Sequence, residues 1–298
     1  MRNTLEVSNF YKFFPIDAAE LAVKKLSLEA RAAKHDLRGL VILAEEGCNG
    51  TVAGTFEAVR FFEQSLPILF GNSDWTFKRA YAIKEPFKNF RVKVREEIVT
   101  TKSAIDASHS KNHLSPEQWQ KVLDTEDDLV LIDVRNVYET KLGMFQGAID
   151  PKTENFTDFP AAIRNMDLPK DQKVLMYCTG GIRCEKAIVE MQQQGYENVY
   201  QLEGGILNYL EQFPHRSFEG ECFVFDGRVA VDQNLNPTRR WALCPHCGQP
   251  GDKFIECGFC EKPAMICNEC SAIANRLTCS HDCAYKFVHH PSRLVSNA

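Results

Sequence analysis

The first thirty residues lack the basic stretch, apolar core and small-residue cleavage site of a secretory leader, and no apolar run is long enough to cross a bilayer. There is no low-complexity tract and, the cysteine pairs aside, no internal repeat. These absences set aside secreted, membrane-spanning and fibrous classes. They lead to the expectation of a cytoplasmic protein with no membrane partner, whose thiols are reduced or bound to metal. A dinucleotide fingerprint and a two-His-one-carboxylate pattern are missing as well, so no flavin or nicotinamide motif is found.

Cysteine is what the sequence has in excess. Of 12 in 298 residues, eight fall between Cys244 and Cys283, spaced as Cys244-x2-Cys247, Cys257-x2-Cys260, Cys267-x2-Cys270 and Cys279-x3-Cys283. Two-residue spacing lets both sulfurs of a knuckle face one ion, and four thiolates complete a tetrahedral zinc site. Eight thiolates imply two structural zinc ions in a zinc-ribbon-like segment, paired either sequentially or in a crossed arrangement, between which spacing does not choose. His246, His281, His289 and His290 are read as solvent-exposed side chains and not as ligands.

Charge divides the chain into three blocks, taken as domains at 1–104, 105–215 and 216–298. The first holds 16 Lys/Arg against 13 Asp/Glu, the second 10 against 18. In the first, a strand at 11–14, a helix opened by Asp17, a hairpin turning at Gly47-Cys48-Asn49-Gly50, a helix at about 56–66 and a strand at 90–95 give the β-α-β-β-α-β order of a ferredoxin-like α+β domain. In the second, Ser115-Pro116-Glu117-Gln118 opens a helix, and strands at 129–134, 174–178 and 199–202 alternate with helices. This predicts an α/β domain with a parallel sheet and ligands at the carboxyl ends of its strands, where Cys178 stands. Asp226-Gly227 predicts a further hairpin over 222–231.

The segment Cys178-Thr179-Gly180-Gly181-Ile182-Arg183 leaves that strand. A thiol is a nucleophile at neutral pH only when its pKa is depressed. Two glycines let the backbone fold tightly, free N–H groups at the next helix can point at an anion, and Arg183 adds a fixed positive charge. Cys178 is therefore read as the catalytic nucleophile and Arg183 as its partner, with Thr179, Gly180, Gly181 and Ile182 as the active-site loop. The competing reading is an inert buried cysteine. Cys184 is a candidate second thiol, able to resolve an oxidised Cys178 or simply to pack at the helix start. Asp133 and Arg135 read as structural support, Cys48 and Cys222 as packing residues.

Residues 113–215 resemble the rhodanese family. Leu131-Ile132-Asp133-Val134-Arg135 with Glu139 is similar to its early acidic-arginine motif, residues 143–149 to its approach loop, and Leu202-Glu203-Gly204-Gly205 to its closing turn. The resemblance implies a loop cysteine that carries a persulfide, and a six-residue loop goes with sulfur chemistry where the related phosphatases have seven. With Glu46-Gly47-Cys48-Asn49-Gly50-Thr51 in the first block and a tail containing Cys247-Gly248-Gln249-Pro250, nearly the whole chain closely resembles the bacterial rhodanese-domain tRNA uridine hydroxylase family. That implies oxygen-dependent formation of 5-hydroxyuridine at the wobble position, Cys178 as catalytic residue and a tRNA anticodon loop as partner. Cys48 departs from the aliphatic residue expected there.

Lys78, Arg79, Lys84, Lys88, Arg91, Lys93 and Arg95 interleave with Trp75, Phe77, Tyr81, Phe87 and Phe90. The composition suits phosphates and unstacked bases; the alternative is a solvated strand face with the aromatics in the core. Two other functions fit the sequence. One is a sulfurtransferase that passes persulfide sulfur from Cys178 to an acceptor, with a sulfur donor protein or small thiol as partner. The other is a non-catalytic zinc-dependent adaptor.

Overall fold

A computed structural model describes residues 4–102, 105–107 and 110–289, so the boundary expected at 104 and His290 lie outside it. The chain forms two compact units: one from the chain up to Gly227 with Val231–Pro237, the other from Arg228–Ala230 with the chain from Thr238 onward.

The first unit is built on two larger sheets, with Gly143–Phe145 and Phe218–Gly220 pairing as a small antiparallel one. Strands β1 (Leu5–Phe13), β2 (Arg38–Ala44), β3 (Gly47–Gly54), β4 (Phe77–Ala82) and β5 (Phe90–Val94), with helices α1 (Ala18–Lys34) and α2 (Phe56–Phe70), make the first. Its order is β4-β1-β3-β2-β5, antiparallel except for the β2–β5 pair. The ferredoxin-like order holds, with one strand more than expected. The fourth strand of the motif is β4, and β5, expected in that role, runs parallel to β2 at the opposite edge. The hairpin turn also moves: Gly47 to Gly50 lie within β3, paired to β1 and β2 on either side, and the reversal falls at Glu45 and Glu46.

Asp17 caps α1 by accepting from Ala19 N at 2.8 Å, and Leu21, Leu28 and Ala32 form its buried stripe. Thr55 caps α2, which continues through Pro67 because Leu69 and Phe70 still pack on the core of Phe10, Val41, Val52, Phe62 and Val92. Both helices cover one face of the sheet. Alternation along β1 and β4 therefore turns Ser8 and Arg79 toward α2 and Asn9, Tyr11 and Lys78 toward the opposite face.

The second sheet is built from β6 (His113–Leu114), β7 (Val130–Asp133), β9 (Val174–Tyr177) and β10 (Val199–Leu202); β8 (Gly143–Phe145) lies outside it. The helices here are α3 (Pro116–Thr125), α4 (Val137–Thr140), α5 (Phe159–Arg164), α6 (Ile182–Gln193) and α7 (Gly205–Gln212). The order is β6-β10-β9-β7, all parallel. Ser115 and Gln118 close the capping box of α3 as expected. Val174, Met176 and Cys178 share a core with α5 and α6, while Leu175 and Tyr177 share one with Trp119 of α3 and Tyr209 of α7. Burial on both faces is the usual state of a parallel sheet.

In the second unit, Ala242–Leu243 pairs with Pro250–Gly251, Lys253–Glu256 pairs with Pro263–Ile266, and helices span Asn268–Ser271 and His281–His289. Short strands also form at Cys222–Phe223, which belongs to the first unit, and at Ala230–Val231, both within the stretch expected as a hairpin. Among the described residues no helix is long and apolar enough to cross a membrane.

Candidate active site

Cys178 stands at the carboxyl end of β9 with its Sγ turned to the N-terminus of α6. The residue is only 1% exposed, and Sγ accepts the Gly181 N–H at 3.1 Å. The closing turn grips this loop from behind: Ile206 N donates to Cys178 O at 3.0 Å and Leu207 N to Thr179 O at 3.1 Å. A Cβ on Gly205 would fall 2.4 Å from Cys178 O, so only glycine lets α7 start that close. Burial works against ionisation of Cys178. The Cys184 thiol, the charge of Arg183 and the N–H groups of Cys184 and Arg183 outweigh it and bring the pKa down to about 6. Cys184 is fully buried, and burial together with its hydrogen bond to Cys178 pushes its own thiol well above the ordinary value. It stays protonated at neutral pH and acts as a donor to the neighbouring sulfur.

Arg183 is fixed by a carboxylate from another element. Its Nη1 and Nη2 donate to Glu139 Oε2 and Oε1 at 2.5 and 2.7 Å, and Thr179 Oγ1 donates to the same carboxylate at 3.1 Å. Glu139 is fully buried; burial opposes its charge, but Arg183 and then Arg135 hold it below the usual carboxylate range. Arg183 therefore acts on Cys178 through its field, with both terminal nitrogens engaged elsewhere. Asp133 and Arg135 form a second buried pair, with Arg135 also donating to Gly143 O at 2.5 Å. That is the supporting role read from the sequence.

The opposite face of the first sheet lies against the loop. Lys78 Nζ donates to Gly180 O at 2.5 Å and sits 4.7 Å above the Tyr11 ring. Tyr11 OH donates to Glu185 Oε1 at 2.8 Å, and Gln201 Nε2 donates to Glu185 Oε2 at 2.9 Å. His113 Nε2 lies 3.1 Å from Glu185 Oε1. Lys186, 1% exposed, reaches Glu97 at 2.5 Å and Glu46 at 2.8 Å. Tyr11, His113 and Glu97 carry no local motif, and the sequence does not single them out; Glu185 stands in the run from Cys178 to Lys186 without an assigned role.

The basic residues expected to meet RNA divide by environment. Arg79 pairs with the buried Glu63 at 2.7 Å, and Lys78 belongs to the loop contact above. Lys84, Lys88, Arg91, Lys93 and Arg95 are exposed, the last three alternating along β5 and beyond its end on one face. Trp75, Phe77 and Phe90 pack on the first core and Phe87 on a smaller cluster, which leaves Tyr81 exposed. An aromatic outside that stretch is better placed: Phe225 is 59% exposed and its ring lies 5.6 Å from the Arg183 guanidinium carbon. Cys48 and Cys222 are buried packing residues, and burial pushes both thiols up, Cys222 to about 12.

The eight tail cysteines gather into two groups, Cys244, Cys247, Cys267 and Cys270, and Cys257, Cys260, Cys279 and Cys283. The pairing left open by spacing is thus crossed. Within each group all sulfurs lie within 4.8 Å of one another, and no cysteine is in a disulfide. Cys247 and Cys267 sulfurs are 3.4 Å apart, Cys260 and Cys279 3.5 Å, Cys279 and Cys283 3.7 Å. A tetrahedron with metal–sulfur bonds of about 2.3 Å has edges of about 3.8 Å, so both groups fit a four-thiolate metal site. His246 is buried and shares a hydrogen bond with Thr278 O at 2.8 Å, so it is neither exposed nor a ligand but ties the two groups together.

Three family profiles match: a UPF0176 acylphosphatase like domain over residues 5–98, a rhodanese-like domain over 115–212 and a rhodanase C-terminal segment over 219–284. Among curated proteins, the tRNA uridine(34) hydroxylase of Bdellovibrio bacteriovorus is 47% identical over 96% of this chain and 83% of its own length. The enzymes of that name from Legionella pneumophila and Synechocystis sp. are 43% and 38% identical, over 77% and 91% of this chain and 91% and 99% of theirs.

Proposed function

The chain belongs to the family of tRNA uridine(34) hydroxylases, and from that premise we propose that it converts the wobble uridine of tRNA to 5-hydroxyuridine in an oxygen-dependent reaction, with the Cys178 thiolate as nucleophile. The observation that carries the reading is a buried sulfur facing a helix N-terminus, with its pKa lowered to about 6. Addition of the thiolate to C6 moves electron density to C5, which attacks one oxygen of a hydroperoxide, formed from dioxygen by an external two-electron donor; the O–O bond breaks and the other oxygen leaves as water. Loss of the C5 proton and expulsion of Cys178 then restore the ring and the thiolate. The loop N–H groups and the field of Arg183 stabilise the sulfur anion before attack and after release.

Lys84, Lys88, Arg91, Lys93 and Arg95 are assigned to tRNA phosphates and Phe225 to base stacking, on their exposure and charge. We assign zinc to the two four-thiolate groups, where each ion would supply folding stability to a segment with little apolar core. A tRNA substrate accords with the cytoplasmic location expected from the sequence.

The test is nucleoside analysis of tRNA treated with purified protein. Cys178→Ser is expected to abolish 5-hydroxyuridine; full retention would end the proposal. The second reading, sulfur transfer, draws on the same six-residue loop with its N–H donor. Loss of thiolated nucleosides in cells lacking the gene would select it, and loss of 5-hydroxyuridine selects the first.

A further inference from the structure

Gly180 and Gly181 share one peptide group, and both of its polar ends are engaged. Its N–H donates to Cys178 Sγ at 3.1 Å, and its carbonyl accepts Lys78 Nζ at 2.5 Å. The two partners belong to different sheets: Cys178 follows β9, Lys78 lies on β4. A trans peptide points its N–H and C=O in opposite directions, so a cation that holds the carbonyl on one side keeps the N–H aimed at sulfur on the other. The peptide needs such a hold. Glycines flank it, Gly181 at φ +100°, and glycine leaves a peptide free to rotate into conformations closed to other residues. Rotated, it would show the thiolate a carbonyl oxygen in place of a donor.

We propose that Lys78 is a positioning residue for the catalytic thiolate, acting through the Gly180–Gly181 peptide, whose carbonyl it holds so that the N–H stays aimed at Cys178. Lys78 is itself held above the ring of Tyr11, which Glu185 anchors from α6. The cation also polarises the peptide and strengthens its N–H as a donor. This gives Lys78 a task other than the phosphate contact its sequence neighbourhood suggests. The inference rests on the reading of Cys178 as the reactive thiolate.

The experiment is a pH titration of thiolate ultraviolet absorbance in the full-length protein, with Cys178→Ser as the baseline. Lys78→Met is expected to raise the Cys178 pKa by about one unit, about a tenfold change in its ionisation constant. Lys78→Arg, which keeps a cationic donor, should restore most of the parent value. Tyr11→Phe, which removes the Glu185 bond and leaves the ring under Lys78, should not move it. An unchanged titration in Lys78→Met, or an equal shift in Tyr11→Phe, overturns the proposal, the latter because loosened docking would then explain both. If Lys78→Met does not fold, Lys78→Gln against Lys78→Arg makes the same comparison. A parent protein with no Cys178 signal near neutral pH would instead refute the thiolate reading on which the inference stands.

Discussion

On the proposed reading of Cys178, the Arg183–Glu139 pair bears on both stability and reactivity. The guanidinium is buried, so it needs a counter-ion, yet the counter-ion dilutes the field that Cys178 feels. Glu139→Gln separates the two effects. Leaving the buried cation without its anion should cost about 3–5 kcal/mol of stability, read by urea unfolding. The same change leaves Arg183 uncompensated beside the sulfur, so the Cys178 pKa should fall below its parent value of about 6. The sign follows from charge: a bare cation favours thiolate over thiol, and the ionised fraction below pH 6 rises. A stability loss with an unchanged or raised thiol pKa would show that Arg183 does not set the ionisation. The parts of the site that are contiguous, from Cys178 to Arg183, are legible in the sequence because strand end, glycines and helix start follow one another there. Glu139 is legible only as part of a motif, Lys78 only as one basic residue of the stretch expected to meet RNA, and Tyr11 not at all, because their contacts cross from one sheet to the other.

At the scale of elements, strand alternation decides which of the basic residues are available. Lys78 and Arg79 are neighbours in sequence, but one faces the Cys178 loop and the other the buried carboxylate of α2. The density of Lys and Arg is visible in the sequence; the face each one takes is not, because it depends on the register of β4 against β1. The same dependence hid β4 as a strand and shifted the β2–β3 turn, since glycines that read as a turn pair between two strands. Phe225 was missed for another reason: it lies far along the chain from the basic stretch and comes to Arg183 only in the fold. Removing an aromatic on which a base stacks costs about 1–3 kcal/mol, so Phe225→Ala should raise the KM for tRNA about five- to 150-fold. Phe225→Tyr should keep it near the parent. A phosphate contact behaves differently: Lys93→Gln should weaken binding and flatten its dependence on log salt by about one, a slope that Phe225→Ala leaves alone. Steady-state kinetics over a salt series distinguishes the two, and an unchanged KM in Phe225→Ala removes the residue from the substrate path.

For the molecule as a whole, crossed thiolate pairing turns two metal sites into one folding problem. Each group draws on pairs of cysteines between which a pair of the other group intervenes in the chain, so neither set can close without fixing part of the other's loop. The hydrogen bond from His246, between two ligands of the first group, to the carbonyl of Thr278, next to a ligand of the second, couples them further. The apolar core here is small, with Ile266 buried and Ile255 half-buried among the cysteines, so metal bound by the two groups would supply much of the folding free energy. Sequential pairing would allow one ion to leave while the other stayed. Crossed pairing predicts joint loss: Cys257→Ala, which removes a ligand from the second group only, should lower bound zinc from about two ions per chain to nearly none. Elemental analysis of the purified variant checks this, and a stable value near one would show that the sites fold independently. Because the proposed active-site residues all lie in the other unit, a chelator should unfold the cysteine-rich segment and leave the thermal transition of the first unit in place. Calorimetry on the chelated protein reads that directly, and loss of both transitions together would show that the first unit's stability depends on the metal-bound tail.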